Sequence, residues 1–201
     1  MAASLAEVSA RVSRCTLCEL HRMRTMAVPG DGNPDADIVF IGEGPGWHED
    51  RQGLPFVGAA GQFLDEMLGK IGLTRADVFV TNVVKCRPPG NRDPLPDEIT
   101  ACAPYLDEQL ELIKPKLVVT LGRFSMARWF PTERISRIHG QPRRIGSLVV
   151  VPMYHPAAAL HQASLRATVE ADMMKLPQIL AGIERETAED EAAPPEQMRL
   201  F

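Results

Sequence analysis

Three short stretches of the chain concentrate residues able to do chemistry. The first is Gly42-Glu43-Gly44-Pro45-Gly46-Trp47-His48-Glu49-Asp50, which runs on through Gly53-Leu54-Pro55-Phe56-Val57-Gly58. Its glycines and proline build a tight turn whose backbone can approach a ligand closely. A phosphate loop is disfavoured, because no Lys-Ser or Lys-Thr follows the glycines and Glu43, Glu49 and Asp50 would repel phosphate. The second stretch is Thr81-Asn82-Val83-Val84-Lys85-Cys86-Arg87-Pro88-Pro89-Gly90-Asn91-Arg92. Its Asn82 can meet a flat heterocycle with one donor and one acceptor. The third is Tyr154-His155-Pro156-Ala157-Ala158-Ala159-Leu160-His161. The proline keeps His155 out of the helical region, and a neutral imidazole at that corner can donate to an oxygen on which charge grows. His21, His48, His139 and His161 lie in polar surroundings and read as solvated or packing residues, with His21 also near enough to the cysteines in sequence to be a ligand.

The four cysteines form a separate set: Cys15 and Cys18 as C-x-x-C, then Cys86 and Cys102. Four thiols with none to spare suit a closed four-ligand metal site, and the spacing leaves zinc and iron–sulfur equally open. A cytosolic location, which the lack of a signal peptide and of any membrane-spanning apolar run favours, makes two structural disulfides a poor reading.

These loops need a scaffold to present them. Four apolar, β-rich runs (Asp37 to Ile41, Val78 to Thr81, Leu117 to Leu121 and Leu148 to Val151) alternate with helical patterns. The helices are Ala3 to Arg14, Phe63 to Ile71, Pro96 to Ile113, Arg123 to Phe130 and a long final one from Leu165 to Ile183. Alternation of this kind predicts an α/β fold with a parallel sheet covered on both faces, and ligands bind beyond the carboxyl ends of such strands. The loops starting at Gly42, Asn82, Gly122 and Tyr154 all fall there.

At 201 residues and 45% hydrophobic content, the chain suits one domain with a tail. Residues 184–201 hold six acidic and two basic residues, which leaves the body neutral, so net charge neither supports nor excludes a nucleic-acid partner. Residues 184–196 read as a disordered acidic linker, and the domain ends at Ile183.

Taken together, Gly42 to Gly58, Thr81 to Pro89 and His155-Pro156 resemble the signature of family 4 uracil-DNA glycosylases, across nearly the whole chain. The resemblance implies a three-layer fold around a four-stranded parallel sheet, and a [4Fe–4S] cluster on Cys15, Cys18, Cys86 and Cys102. It further implies that Gly42, Glu43 and Gly44 hold a flipped uracil, Phe56 stacks on it, Asn82 reads its edge and His155 meets its O2. Glu49 is expected beside C5, where it excludes the methyl group of thymine. Catalysis is assigned to Glu43 and His155. In the better-known family 1 enzymes an aspartate activates water, and Gly44 stands in that place here. Leu160 is taken as the wedge that fills the vacated stack, since Ala159 occupies the usual leucine position. Arg87, Arg92, Arg143, Arg144 and Arg166 are expected on the backbone of single- or double-stranded DNA. The final Gln197-Met198-Arg199-Leu200-Phe201 resembles peptides that dock on bacterial sliding clamps, with Gln197, Leu200 and Phe201 as contacts. The enzyme is expected to act as a monomer. A cross-linking relative is disfavoured because Pro88 to Pro96 contains no histidine, and a non-catalytic iron–sulfur or zinc module has no need of Glu43, Asn82 and His155 together.

Overall fold

The computed structural model describes residues 4–192. Strands β1 (Asp31–Gly32), β2 (Ile38–Gly42), β3 (Phe79–Asn82), β4 (Leu117–Leu121), β5 (Arg143–Ile145) and β6 (Leu148–Met153) form one sheet in the order β1-β3-β2-β4-β6-β5. The four inner strands are parallel, as the apolar runs predict. The expectation of four strands is corrected to six. Two short antiparallel strands flank the core, β1 on β3 and β5 on β6. Both are exposed and short, so they lack the apolar signal that marks the inner ones.

Inner-strand residues are buried on both faces, and alternation decides which layer each one joins. Phe40, Val80, Val119 and Val151 pack with Phe63, Leu64, Met67 and Met173 on one side. Val39, Ile41, Val118 and Val150 pack with Val8, Val12, Cys102 and Leu106 on the other. The first layer is supplied by α3 (Ala59–Lys70), α8 (Ala163–Met173) and α9 (Leu176–Ala192), the second by α1 (Leu5–Arg14) and α4 (Pro96–Ile113). Short helices α2 (Trp47–Gln52), α5 (Arg123–Ala127), α6 (Ile135–Ile138) and α7 (Pro156–His161) complete the chain.

Two expectations about the C-terminal region change. The single final helix expected over Leu165 to Ile183 is two, α8 and α9, with Pro177 in the first turn of α9, where its missing N–H has no helical partner to lose. The linker expected from residue 184 is helical as far as Ala192. Glutamate and alanine favour helix, and Glu184 pairs with Lys116 at 2.9 Å while Glu186 pairs with Arg144, so acidic composition here signals a solvated helix face. The remaining linker residues and the Gln197, Leu200 and Phe201 contacts lie outside the described residues.

The chain runs from β2 outward to β3, then returns across to β4 and β6. The strand order therefore reverses at β2, and the loops that leave β2, β3, β4 and β6 all open at one end of the sheet.

Candidate active site

Pairing of Gly42 with Asn82 brings the ends of β2 and β3 side by side. A Cβ on Gly42 would lie 2.4 Å from Asn82 Oδ1 and 2.6 Å from Phe56 Cζ, so only glycine lets the amide and the aromatic ring close over this strand end. Past the strands the pairing continues, with Val83 N–H donating to Gly42 O and Val84 N–H to Glu43 O. A Cβ on Gly44 would meet Val84 Cγ2 at 2.7 Å. The first two loops are thus zipped together before either reaches a ligand.

Between them and His155 lies a cavity of about 410 Å³, lined by Glu43, Gly44, Glu49, Phe56, Asn82 and His155, with Arg92 and Asn91 at its side. A cavity of this size suits a small planar ligand. All the residues expected to contact a base meet in this one place, except Gly42, which stands behind it and touches Asn82 and Phe56.

Two of the wall residues are held by the backbone. Glu49 Oε1 accepts from Val57 N–H at 2.9 Å and Gly58 N–H at 2.8 Å, fixing its carboxylate against the loop. Asp50, in contrast, is buried and accepts from Thr25 N–H at 2.8 Å, a structural role. His155 caps α7, and its Nδ1 accepts from Ala157 N–H at 3.1 Å. In a neutral imidazole that bond places the proton on Nε2. Burial drives the pKa of His155 down from 6.5 to about 4, with the charge of Glu49 opposing the shift, so the ring is neutral at physiological pH. Its plane lies 24° from that of Phe56, with ring centroids 5.6 Å apart. Gly122, at φ +93°, lets the turn after β4 pass beneath it, since a Cβ there would sit 3.2 Å from His155 Cβ.

Glu43 is half-buried, and burial raises its pKa, helped by the charge of Asp93 and opposed by Arg123. A raised pKa makes a carboxylate a stronger proton acceptor. Asn82 is 1% exposed, and its Oδ1 is a buried acceptor with no hydrogen-bond partner among the described residues. Leaving such an atom unpaired costs about 1–3 kcal/mol, a penalty that an arriving N–H donor would remove.

The cysteines gather on the far side of the β3 loop. Cys15 ends α1, Cys18 begins a one-turn 3₁₀ segment (Glu19–Arg22), Cys86 follows β3 and Cys102 lies in α4. All four line a second, smaller cavity with Leu17, Arg24 and Tyr105. Lys85 N–H donates to Cys102 Sγ at 3.2 Å, and Arg24 Nη1 donates to Cys86 Sγ at 3.0 Å. Burial pushes the thiols of Cys18 and Cys86 up, and that of Cys102 up to about 11. Among the described residues, no three His, Cys, Asp or Glu side chains converge as one metal ion requires. Four thiols lining one cavity, with N–H donors aimed at two of the sulfurs, are a donor set that suits an iron–sulfur cluster or a zinc ion. His21 lines the same cavity, but its Nδ1 is engaged with Cys18 O at 2.7 Å, so it acts on the backbone.

The five arginines expected on the DNA backbone differ in their surroundings. Arg92 forms a two-pronged pair with the buried Glu98, at 2.9 and 2.6 Å, and Arg166 grips both carboxylate oxygens of Glu66 at 2.7 Å. Arg144 is paired with Glu186. Only Arg87 and Arg143 of the expected five have no carboxylate partner among the described residues. Arg87 donates to Asn91 Oδ1 at 2.7 Å, and Arg143 lies on the exposed edge strand β5. Leu160 is 41% exposed whereas Ala159 is 3% exposed, so Leu160 is the one of the pair able to reach outward.

Sequence reasoning passed over Lys85. Its side chain is buried, with Nζ donating to Thr81 Oγ1 at 2.5 Å, Asn82 O at 2.9 Å and Gln109 Oε1 at 2.7 Å. The lysine ties the strand end that carries Asn82 to α4, and a lysine in an apolar run was the available signal.

Comparison with known proteins agrees with this architecture. Residues 29–175 match the Uracil DNA glycosylase superfamily. A type-4 uracil-DNA glycosylase from Sulfurisphaera tokodaii is 49% identical over 183 residues, covering 86% of this chain and 83% of that protein. Another, from Archaeoglobus fulgidus, is 48% identical over 182 residues, covering 86% and 92% respectively. The type-4 enzyme of Saccharolobus solfataricus is 45% identical over 184 residues, covering 87% and 85%. With a family model matching residues 29–175 and relatives 45–49% identical over most of the chain, the chain belongs to the uracil-DNA glycosylase superfamily and, within it, to the type-4 uracil-DNA glycosylases.

Proposed function

We propose that this protein removes uracil from DNA by hydrolysing the bond between C1′ of the deoxyribose and N1 of the base, as the first step of repair. The observation that carries the reading is the partnerless Oδ1 of Asn82 in the cavity wall. Uracil brings an N3–H donor to that acceptor, whereas the corresponding N3 of cytosine is itself an acceptor. The nucleotide must first leave the stack, at a cost of a few kcal/mol, and Leu160 fills the gap.

In the pocket the base lies against Phe56, with O2 toward His155. As the C1′–N1 bond breaks, its electron pair leaves with the base, and His155 Nε2–H stabilises the charge that develops on O2. The sugar becomes cationic, Glu43 stands as its counter-charge, and water adds to C1′ while its proton passes to Glu43 or solvent. Products are free uracil and an abasic sugar. Glu49, pinned by two N–H groups, presents a wall against the thymine methyl group that a mobile side chain would not.

A [4Fe–4S] cluster on Cys15, Cys18, Cys86 and Cys102 would serve as a covalent tie between α1, the β3 loop and α4. Arg87 and Arg143 contact the DNA backbone. Residues Gln197, Leu200 and Phe201 dock on a sliding clamp, and the protein works as a cytoplasmic monomer. Among the described residues no helix is long and apolar enough to cross a membrane.

The test is release of free base from otherwise identical oligonucleotides carrying one deoxyuridine, thymidine or deoxycytidine. Uracil and an alkali-labile site should appear from the first alone. No uracil release, or equal release of thymine, would overturn the reading.

A further inference from the structure

Phe56 has φ +53°, a left-handed backbone conformation that is strained for a bulky residue. It persists only where its surroundings enforce it. Two features do so. Helix α3 passes so close that a Cβ on Gly61 would lie 1.6 Å from Phe56 O. From the other side comes Arg75, in the turn between α3 and β3. Its Nη2 donates to Phe56 O at 2.7 Å and to Gly61 O at 3.5 Å, its Nη1 to Pro55 O at 3.4 Å, and its Nε to Asp65 Oδ1 at 2.5 Å. The turn itself is locked, because Asp77 Oδ2 accepts from both the N–H and the hydroxyl of Thr74, at 2.8 and 2.7 Å. One planar guanidinium therefore binds the carbonyls of the two peptide links that flank the Phe56 Cα, and the helix beside them. A lysine, with a single ammonium, has no fork to match them.

We propose that Arg75 is a positioning residue for base excision: it holds the strained Phe56 backbone so that the ring lies flat as the stacking floor of the pocket. The inference rests on the reading of the cavity as a uracil pocket. Arg75 does not line that cavity, so it acts only through Phe56.

The experiment is a double-variant cycle on the full chain, with Arg75→Gln, Arg75→Lys, Phe56→Ala and Arg75→Gln/Phe56→Ala. Two quantities are read: single-turnover excision of uracil, and affinity for DNA carrying a non-hydrolysable 2′-fluoro-deoxyuridine. Arg75→Gln should lower both by roughly tenfold, the order expected for a lost charge-assisted hydrogen bond. In the Phe56→Ala background the same change should have no further effect, because the ring it positions is gone. Losses that multiply, a wild-type Arg75→Gln, or full function in Arg75→Lys would overturn the proposal. Should Arg75→Gln fail to fold, Arg75→Lys, which keeps a cation beside Asp65, carries the test with the same expected loss. If Phe56→Ala itself excises at the wild-type rate, the pocket reading fails and not merely the role of Arg75.

Discussion

The pocket and the cysteine cavity share one segment of chain, Asn82 to Cys86, yet they are finished to different degrees. In the pocket, Glu49 and His155 already have their backbone partners, and one acceptor on Asn82 waits for a donor. Such a site is built for a guest that comes and goes, with nothing to rearrange when it arrives. In the cysteine cavity, burial holds thiols in their neutral form, and Arg24 and Lys85 present N–H groups to sulfur. That region becomes complete only when a cation replaces the protons, which suits a permanent occupant. Nearness in sequence therefore sets the cysteine cavity beside the strand end that carries Asn82, so that the occupant proposed for the one would secure the other.

The largest expected effect breaks the permanent side. Cys86→Ala should lose the yellow-brown colour of an iron–sulfur protein and lower the unfolding free energy by roughly 2–5 kcal/mol, the range for a lost covalent cross-link. Excision per folded molecule should fall far less than the stability does. Colourless, fully stable wild-type protein containing zinc would refute the assignment. Next in size is His155→Ala, which should slow uracil release by roughly 10²–10³, as for one lost oxyanion donor, while leaving colour and melting temperature unchanged. Undiminished single-turnover cleavage would remove His155 from the mechanism.

A smaller effect lies in pH. The folded pKa of His155, about 4, is below the unfolded value of 6.5, so the unfolded chain binds the proton more readily. The stability linked to this group is full above pH 6.5 and is lost as pH falls toward 4. An NMR titration of the His155 ring should have its midpoint near 4, and a midpoint at 6.5 would contradict the neutral, buried donor. The smallest effect belongs to the tail. Deleting residues 197–201 should leave cleavage of short oligonucleotides unchanged while abolishing sliding-clamp affinity measured by calorimetry, and equal affinity of both forms would refute the docking role.

Much of this was legible in the sequence, and the exceptions have physical causes. The inner strands announce themselves because burial on both faces makes continuous apolar runs such as Leu117 to Leu121. Asn82 and His155 were legible because the carboxyl ends of such strands must point at one place. Edge strands β1 and β5 were not, being short, polar and exposed. Neither were the partners of the arginines: Arg166 and Glu66, or Arg144 and Glu186, meet only after folding. The acidic stretch after Ile183 misled for a related reason, since a solvated helix face and a disordered linker share a composition. Arg75 left no trace in any pattern, because its function is to bind carbonyls, which every residue has.

The central claim is that a single pocket receives uracil with its N3–H on the buried, unpaired acceptor of Asn82. A crystal structure of the protein soaked with uracil tests it directly. The account predicts the ring against Phe56, with N3 about 3 Å from Asn82 Oδ1 and O2 at His155 Nε2. Uracil bound outside this cavity, or bound within it with Asn82 Oδ1 still lacking a partner, would contradict it.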